Sequence, residues 1–560
     1  MESYRDLHLG ATSAYVAAGA LLICLTAKYL SRAPLDLDGP PNPSWLAGTG
    51  FNADEKNEAL QEAFMNSHGR TVRYYKPFNK MAVYTSDPVA IHSVTVKDLA
   101  HYGRNSNLAA ILRAVLGGGL GSMWGPKHRA HRKALNPVFV TKHLREHSYH
   151  VYHQACDTIA QNRGIKRGQS FECDVYHYMN ASALELIGQA GLGYSFGSFT
   201  GRRDEYSGAI KRFLPTVVSA SLVLPFIIYF ENFGTPGLRR WVADNAPFKA
   251  AKDLRELVRV QHDQAQEILS SRHHLLASGQ SLDSTTGSGK DILTLLMKAD
   301  EKLPEDAKMS PEEMIGHMNT FIFAGHETTS GAVTRVLDVL TAHPEIQRRL
   351  REELLSFMTK SGAEEIDRDE IDALPYLDVV CRETLRLHPP VNVIERVCLE
   401  DVVIPLKYPV NTSTGPQTSI FVPKGTAVSV GIYNINRDKD IWGSDANQFD
   451  PERWLDGRAA SAEGSPGVYS HMMTFMAGPS SCIGFKFATL ELKVLLVRLL
   501  TRFKFEPSEK HFIWMVSPKK GQHEELLTSI PSPREIKPRE DAKRPLVERK
   551  GQLMMKVTEL

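Results

Sequence analysis

The sequence has no large excess of charge of either sign. Its 560 residues include 66 Lys and Arg against 64 Asp and Glu, a net charge of +2. A nucleic-acid partner needs a basic surface that neutralises phosphates, so this balance argues against one. The hydrophobic fraction of 42% and the charged fraction of 23% are those of a globular protein, which excludes a disordered chain.

Cysteine is scarce and has no paired spacing. The six cysteines are scattered along the chain without a C-x-x-C pair. Neither a disulfide framework nor a zinc ribbon is therefore indicated, and the body of the chain is expected in a reducing compartment. The sequence also lacks an internal repeat, a linker that would divide it into two cores, and a Gly-rich dinucleotide fingerprint.

A long uncharged and largely apolar stretch lies near the N-terminus. Residues 9–27 carry no formal charge, and about 20 apolar residues are enough to span a bilayer. Acidic residues precede this stretch, which favours a retained anchor over a cleaved signal or a buried helix. More basic residues follow it than precede it, so the body is expected on the cytosolic side. We predict a membrane anchor at 1–32, a proline-rich hinge at 33–48 and one domain at 49–560.

Most of the remaining chain is helical by its hydrophobic period, with a few short strand patterns. Strands are predicted near 71–85, 396–430 and 553–557. Segments rich in Ser, Thr, Gly and Pro predict surface loops at 278–289 and 408–419. The expected fold class is mainly α with small β-sheets.

A long helix is predicted over residues 311–342. Its start combines an N-cap Ser, a Pro at the first helical position and the Glu of a capping box. In its middle, Ala324 and Gly325 are small enough for a planar ligand to approach the backbone. Glu327 and Thr328 then place an acid beside a hydroxyl, and Thr328 can bond the carbonyl of residue 324. Taken alone, this segment is explained equally well by a packing glycine and a solvated Glu.

One cysteine near the C-terminus lies in a turn rich in Gly and Pro. Cys482 ends this turn, and an amphipathic helix is predicted over 485–500. A helix N-terminus favours the thiolate, and such a turn leaves the sulfur accessible to a metal. An isolated intracellular cysteine is more often a small buried hydrophobic residue, so the neighbouring residues must decide between these interpretations.

The neighbouring residues resemble the haem-binding signature F-x-x-G-x-x-x-C-x-G of the cytochrome P-450 family. The match is at Phe475, Gly478, Cys482 and Gly484. The resemblance covers most of residues 35–560 and implies haem b with the cysteine thiolate as the axial ligand of the iron.

Three further residues resemble the family's buried Glu–Arg–Arg cluster. Glu383 and Arg386 match E-x-x-R, and Arg453 lies in a P-E-R-W segment similar to the family's P-E-R-F. E-x-x-R alone is a weak signal, because it is more often an exposed pair on a helix. Arg bonds carboxylates and carbonyls bidentately, so the expected role is structural, behind the cysteine loop.

The resemblance also implies partners for the haem propionates. Residues 125–132 resemble the C-helix pattern W-x-x-x-R, with His128 in place of Trp and Arg132 as the Arg. Arg396 matches another propionate-binding Arg. The family usually has Arg two residues before the cysteine, whereas this sequence has Ser480, so one partner is missing. The residues expected to contact haem are His128, Arg132, Ala324, Gly325, Arg396, Phe475, Gly478, Cys482 and Gly484.

The function implied by the resemblance is monooxygenation of a hydrophobic small molecule. Glu327 and Thr328 match the acid and alcohol that deliver protons, which argues against the family members that rearrange peroxides. Because the chain has no flavin or dinucleotide motif, electrons from NADPH must come through a separate NADPH-cytochrome reductase, with cytochrome b5 as a second candidate partner. The expected location is the endoplasmic reticulum membrane.

The substrate is the least defined part of this prediction. The expected pocket includes 108–120, 222–230, Phe321, Phe323 and 391–394, which are mostly apolar. The chain looks most like fungal microsomal members, which often oxidise terpenoids, other secondary metabolites or xenobiotics. Two alternatives stay open: a thiolate-haem isomerase or dehydratase, and a degenerate member that binds haem or a lipid without turnover.

Overall fold

The structure, a computed structural model, describes most of the body of the chain. The described residues are 35–45, 48–49, 65–139, 154, 156–160, 167–199, 205–219, 234–245, 249–278, 291–301, 305, 308–361, 368–508 and 553–560. The predicted anchor at 1–32 and the apolar run at 222–230 lie outside them. No helix within the described residues is long and apolar enough to cross a membrane.

Helices make up most of the described structure. They are α1 (Pro88–His92), α2 (Ser106–Leu116), α3 (Gly125–Leu135), α4 (Val175–Leu186), α5 (Glu205–Ser219), α6 (Pro236–Asn245), α7 (Lys249–Ala277), α8 (Ile292–Asp300), α9 (Pro311–Ala342), α10 (Pro344–Ser361), α11 (Arg368–Asp372), α12 (Pro375–Leu387), α13 (Ile432–Ile435), α14 (Lys439–Trp442) and α15 (Phe485–Arg502). A π-helical segment, Ile187–Leu192, follows α4.

The strands form small sheets, as the sequence predicts. They are β1 (Thr71–Lys76), β2 (Lys80–Thr85), β3 (Tyr102–Arg104), β4 (Ser170–Asp174), β5 (Val393–Cys398), β6 (Val402–Thr412), β7 (Gly415–Val422), β8 (Ala427–Gly431), β9 (Phe503–Pro507) and β10 (Met554–Glu559). In the described part of the chain the strand orders are β1-β2-β8-β5-β3, β4-β10-β9 and β6-β7. The predicted class, mainly α with small sheets, is confirmed.

The long helix α9 begins and ends where the sequence predicts. The Glu313 N–H donates to Ser310 Oγ at 3.2 Å, and the Ser310 N–H donates to Glu313 Oε2 at 3.0 Å, which completes the capping box. The helix has 32 residues, which at 1.5 Å per residue is about 48 Å. It therefore crosses the domain and contacts elements from both halves of the chain.

The predicted loop at 408–419 is wrong. These residues belong to the β6–β7 hairpin, whose register runs from Val402 opposite Val422 to Thr412 opposite Gly415. Only two residues, 413 and 414, form the turn. A two-stranded ribbon consists of two edge strands, and a register shift interrupts the pairing between Pro405 and Val410, so prolines are tolerated there.

Glycines bring the connection between α2 and α3 against α9. A Cβ on Gly119 would lie 2.1 Å from the Gly316 carbonyl oxygen, so no larger residue fits. The Leu120 N–H donates to His317 Nδ1 at 3.2 Å, so His317 Nε2 carries the ring proton and donates to His131 Nδ1 at 2.9 Å. Burial lowers the pKa of both histidines, that of His317 to about 3. A neutral histidine pair therefore holds α3 on α9.

A buried carboxyl lies where α15 packs on α9. Glu491 is 2% exposed, and neither of its carboxyl oxygens has a hydrogen-bond partner among the described residues. Burial raises the pKa of Glu491 well above its ordinary value. The group is therefore held neutral in the folded protein, whereas it ionises in the unfolded chain.

The Glu491→Gln variant should be more stable than the parent protein at neutral pH. The pKa of Glu491 is higher in the folded protein than in the unfolded chain. The stability that the neutral carboxyl allows is therefore fully present below the unfolded-state pKa of about 4.5, and it is lost as the pH rises toward the folded-state pKa. Gln keeps the shape and does not ionise, so a gain of about 1–3 kcal/mol is expected near pH 8 and almost none near pH 4. Urea unfolding at several pH values measures this difference. An equal difference at every pH would contradict the buried neutral acid.

Candidate functional site

Glu383, Arg386 and Arg453 form a buried ionic cluster. Arg386 donates to both Glu383 oxygens, at 2.8 Å from Nε to Oε2 and 2.7 Å from Nη2 to Oε1. Arg453 Nε donates to Oε1 at 2.9 Å, and Trp454 Nε1 donates to Oε2 at 3.0 Å. The three charged side chains are at most 1% exposed. The carboxylate is fully hydrogen-bonded, which is the condition under which a buried charge is tolerated.

This cluster also fixes the backbone that leads to the cysteine. Arg386 Nη1 donates to the Asn436 carbonyl oxygen at 2.8 Å. The Asn436 side chain accepts from the Met473 N–H at 2.8 Å and donates to Thr474 Oγ1 at 2.9 Å. Residues 473 and 474 begin the loop that contains Cys482. A continuous set of hydrogen bonds therefore connects helix α12 to the cysteine loop.

The cysteine loop itself has a tightly defined backbone. The Cys482 N–H donates to the Phe475 carbonyl oxygen at 2.9 Å, which closes the loop. Gly478 has φ +66°, and a Cβ there would lie 2.4 Å from the Thr95 carbonyl oxygen, so the position requires glycine. Gly484 is the N-cap of α15, and a Cβ on it would make only an ordinary contact. The loop path therefore depends on the first of these glycines.

The Cys482 thiol is accessible although protein atoms surround it. The side chain is exposed, yet enough protein surrounds it that burial raises the pKa of the thiol. The Gly484 N–H and the Arg132 guanidinium act to lower this pKa without reversing the shift. The backbone donor at the helix terminus therefore acts on the thiol in the predicted direction, and desolvation outweighs it. A coordinating metal ion deprotonates a thiol directly, so the raised pKa is compatible with a metal ligand.

Three arginines gather around His128 in helix α3. Arg104 on β3 lies directly opposite Arg396 on β5. Burial lowers the pKa of His128 to about 4, and Arg104, Arg132 and Arg396 contribute to this decrease. Like charges directly opposite each other destabilise a sheet, and no carboxylate of the described residues acts on any of these three arginines. The cluster is therefore suited to an anionic ligand.

Arg132 connects this basic cluster to the cysteine loop. Its Nη1 donates to the Ser481 carbonyl oxygen at 2.5 Å, and its Nη2 donates to Ser481 Oγ at 3.3 Å. Ser481 precedes Cys482, so the basic cluster and the thiol belong to one site. The donor set fits haem b, whose iron accepts a thiolate and whose two propionates bond cations.

The sequence analysis missed Arg104 and Trp124. The Cζ atoms of Arg104 and Arg396 lie 5.7 Å and 4.9 Å from the Trp124 ring centroid. Arg104 Nε has no hydrogen-bond partner among the described residues. Trp124 lies four residues, or one helical turn, before His128. The pattern W-x-x-x-R placed one turn earlier in the sequence would therefore have its Trp at Trp124. No local signal marks Arg104, which reaches the cluster only through the pairing of β3 with β5.

The middle of α9 has one accessible stripe and one packed side. Thr328 Oγ1 donates to the Ala324 carbonyl oxygen at 2.6 Å, as predicted, and the Ala324 side chain is exposed. A Cβ on Gly325 would lie 3.1 Å from the Ile187 side chain. The structure therefore gives Gly325 a role in packing α9 against the segment after α4, and the accessible stripe consists of Ala324 and Thr328.

Glu327 is held by a side chain from helix α4. The Tyr176 hydroxyl donates to Glu327 Oε2 at 3.0 Å, and Asn180 Nδ2 donates to the Tyr176 oxygen at 3.5 Å. His326 Nδ1 lies 3.7 Å from Glu327 Oε1. Burial raises the pKa of Glu327, while the Tyr176 hydrogen bond acts to lower it. The geometry gives a carboxyl group that retains a proton at higher pH than an exposed Glu.

Comparison with known proteins gives a consistent result. The family model for cytochrome P450 matches residues 39–537. A cytochrome P450 monooxygenase of Postia placenta is 38% identical over 496 residues, which cover 87% of this chain and 91% of the relative. The ganoderic acid synthetase of Ganoderma lucidum is 38% identical over 499 residues, 88% and 91% of the two chains. A monooxygenase of Hericium erinaceus is 30% identical over 528 residues, 90% and 95%.

The chain belongs to the cytochrome P450 family. Its relatives are fungal P450 monooxygenases, so the class of enzyme expected from the cysteine motif is confirmed. The family implies haem as the cofactor.

Removing the shared carboxylate of the buried cluster should cost much of the stability. Glu383→Gln leaves Arg386 buried without its carboxylate partner and leaves Arg453 with Asp445 alone, and an unfolding free energy lower by about 3–5 kcal/mol is expected. Glu352→Gln is the matched control, since Glu352 pairs with Arg348 on an exposed helix surface. That variant should lose less than about 1 kcal/mol. Urea unfolding measures the free energy of unfolding of both variants. Similar losses in the two variants would contradict a special role of the buried cluster in stability.

Adding the arginine that the family usually has should tighten haem retention. Ser480→Arg would supply a charge-assisted hydrogen bond, and an approximately tenfold slower loss of haem is expected. The gain should be larger in an Arg104→Gln background, because one guanidinium of the cluster is then missing. Transfer of haem to an apoprotein acceptor gives the rates. Unchanged rates in both backgrounds would show that position 480 does not face a propionate.

Proposed function

We propose that this protein inserts one oxygen atom from dioxygen into a hydrophobic small molecule, with electrons from NADPH delivered by a separate reductase. One observation carries the proposal: an accessible cysteine thiol lies beside Arg132, which belongs to a cluster of three arginines that no described carboxylate pairs with. A protein that only bound an apolar lipid would not require a thiol beside a cluster of cations.

Haem b would be held by Cys482 at the iron and by the basic cluster at the propionates. The cluster comprises Arg104, His128, Arg132 and Arg396, with Ala324 and Thr328 on the accessible stripe of α9. When bound with a thiolate ligand, haem supplies the activation of dioxygen and the transfer of an oxygen atom. The chain's own residues place the cofactor, limit water and supply protons.

Proton delivery is assigned to Glu327 and Thr328, with Tyr176 as a positioning residue. The Tyr176 hydroxyl fixes one carboxyl oxygen of Glu327, so the other oxygen, on the side of His326, is available to exchange a proton. The raised pKa of Glu327 suits an acid that must hold a proton and then release it. Thr328 can relay it, because its hydroxyl both donates and accepts.

The Tyr176→Phe variant should shift the pH dependence of product formed per NADPH. Its hydrogen bond lowers the pKa of Glu327 against the effect of burial, so removing it raises that pKa further. The protonated acid then persists to higher pH, and the basic limb of the profile moves upward. Thr328→Ala should reduce product per NADPH at every pH.

Tyr178→Phe is the matched control, because it removes a hydroxyl from the same helix without touching Glu327. Its profile should equal that of the parent enzyme. Product and NADPH are measured together from about pH 6 to pH 9 in steps. A Tyr176→Phe profile that coincides with the control would remove Tyr176 from the proton path.

The substrate is proposed to be a terpenoid or another secondary metabolite, with a xenobiotic as a further class. One relative is named a ganoderic acid synthetase, and the described residues of the predicted pocket are mostly apolar. Phe321 packs edge-on against Phe139, with ring centroids 5.1 Å apart. Phe323 contacts Phe213, with centroids 4.4 Å apart. These aromatic side chains favour a bulky apolar ligand.

The proposed location is the endoplasmic reticulum membrane, with residues 1–32 as the anchor and the catalytic domain in the cytosol. NADPH-cytochrome reductase is the proposed partner, and cytochrome b5 a second. The sequence has glycosylation sequons at Asn180 and Asn411. Asn180 is buried in α4, whereas Asn411 is exposed on β6. Glycan on Asn411 is therefore the informative readout, and finding it would contradict the orientation.

Oxygen consumption tests the proposed reaction against its alternatives. The full chain is combined with a fungal NADPH-cytochrome reductase, and oxygen, NADPH and products are followed for terpenoid substrates. Consumption that requires NADPH, reductase and substrate, with one oxygen atom gained by the product, supports the monooxygenase. Turnover without NADPH would favour an isomerase or dehydratase. Haem binding without any turnover across these substrates would favour a degenerate member.

A further inference from the structure

Two histidines join helix α3 to helix α9 through one hydrogen bond. His317 on α9 is fully buried, and His131 on α3 is 8% exposed. The Leu120 N–H donates to His317 Nδ1 at 3.2 Å, so His317 Nε2 carries the ring proton and donates to His131 Nδ1 at 2.9 Å. The contact between the helices therefore depends on a nitrogen of His131 that carries no proton.

This arrangement has no place for a further proton. A protonated histidine is a donor at both ring nitrogens. A proton on His131 Nδ1 would face the Nε2–H of His317, and a proton on His317 Nδ1 would face the Leu120 N–H. Phe321 lies against the His317 ring, with centroids 5.9 Å apart, and limits how far that ring can adjust. Protonation of either ring therefore replaces a hydrogen bond by two opposed N–H groups.

His131 is the ring of the pair that can take up a proton from solvent. Burial and Lys127 disfavour its charged form and lower its pKa, whereas Glu313 and Asp300 act in the opposite direction. Burial and the neighbouring ring lower the pKa of His317 to about 3. The charged and titratable groups that interact with the pair are His128 and Lys127 on α3, Asp300 at the end of α8, and Glu313 on α9. Residues 117–122, which lie between α2 and α3, contribute none.

Helix α3 also carries residues expected at the haem propionates. His128 lies three residues before His131, and Arg132 lies one residue after it. Arg132 Nη1 donates to the Ser481 carbonyl oxygen at 2.5 Å, directly before Cys482. The seating of α3 on α9 therefore sets where these two side chains stand relative to the cysteine loop. Loss of the bond between His131 and His317 would displace both of them.

We propose that His131 and His317 are positioning residues for the haem propionates and that protonation of His131 releases haem in mild acid. The inference rests on the haem site of the proposed function and adds its response to pH. While α3 is bonded to α9, the pKa of His131 lies below its ordinary value of 6.5, and a displaced helix restores that value. The bonded state is therefore fully favoured above about pH 6.5 and loses its advantage as the pH falls below it.

Transfer of haem from the loaded full chain to an apoprotein acceptor, measured between about pH 7.5 and pH 5.5, tests the inference. Over this range, protonation of a released histidine favours the displaced helix by up to about tenfold. Haem loss from the parent chain should therefore accelerate by about fivefold to tenfold, and return to neutral pH should restore binding. A step centred below about pH 5, where carboxyls titrate, or a loss that is not reversed would overturn the inference.

Two substitutions of His131 separate titration from packing. His131→Asn keeps an acceptor for the His317 N–H but does not titrate, so it should match the parent near pH 7.5 and accelerate by less than about twofold in acid. His131→Leu removes the acceptor at every pH. It should lose haem about fivefold to tenfold faster than the parent near pH 7.5 and at nearly the parent's rate near pH 5.5. A purely structural role would give the same ratio at every pH.

His262→Asn is the matched control, because it removes an exposed histidine of α7, and its profile should equal that of the parent. Equal acceleration in the parent and in His131→Asn would overturn the inference. The reduced carbon monoxide spectrum of each chain near pH 7.5 reports the thiolate-ligated haem separately. A parent chain without that spectrum would overturn the haem site and this inference with it, whereas a normal spectrum with a pH-independent loss of haem would overturn this inference alone.

Discussion

One buried carboxylate, shared between two arginines, is the constraint on which the site depends. Glu383 bonds both Arg386 and Arg453, and the donors left over on these arginines bond backbone carbonyls of the segment before the cysteine loop. A buried carboxylate with two cationic partners is stable only when its hydrogen bonds are made, so the geometry of the whole region is set together. The cysteine is therefore presented by a rigid support, although its own loop has little regular structure.

A second set of contacts places the basic cluster relative to that support. Arg132 bonds Ser481 in the cysteine loop, and the His131–His317 pair holds the same helix on α9. Helix α3 is thus fixed at two points. Its Arg132 is therefore held close to Arg104 on β3 and Arg396 on β5, and the three cations cannot move apart. Their mutual repulsion is a cost that a dianionic cofactor removes, which gives the folded chain an intrinsic preference for such a ligand.

The sequence predicts features that are encoded locally. The bounds of α9 follow from a capping box and a proline, and the cysteine turn follows from a signature of four spaced residues. Features that depend on tertiary pairing could not be predicted. Arg104 joins the cluster through strand pairing, Tyr176 on α4 reaches Glu327 on α9, and Gly325 packs against Ile187. The Ser, Thr, Gly and Pro content of residues 408–419 predicts a loop, because local composition does not show the strand pairing of the hairpin that tolerates these residues.

The central claim is that Cys482 supplies a thiolate to a haem iron held by this framework. The most direct measurement is the carbon monoxide difference spectrum of the dithionite-reduced full chain, recorded beside Cys482→Ser. The account predicts the strongly red-shifted band of thiolate-ligated haem in the parent protein and its loss in the variant, with both proteins folded. A folded parent protein without that band, or a band that persists in Cys482→Ser, would contradict the account.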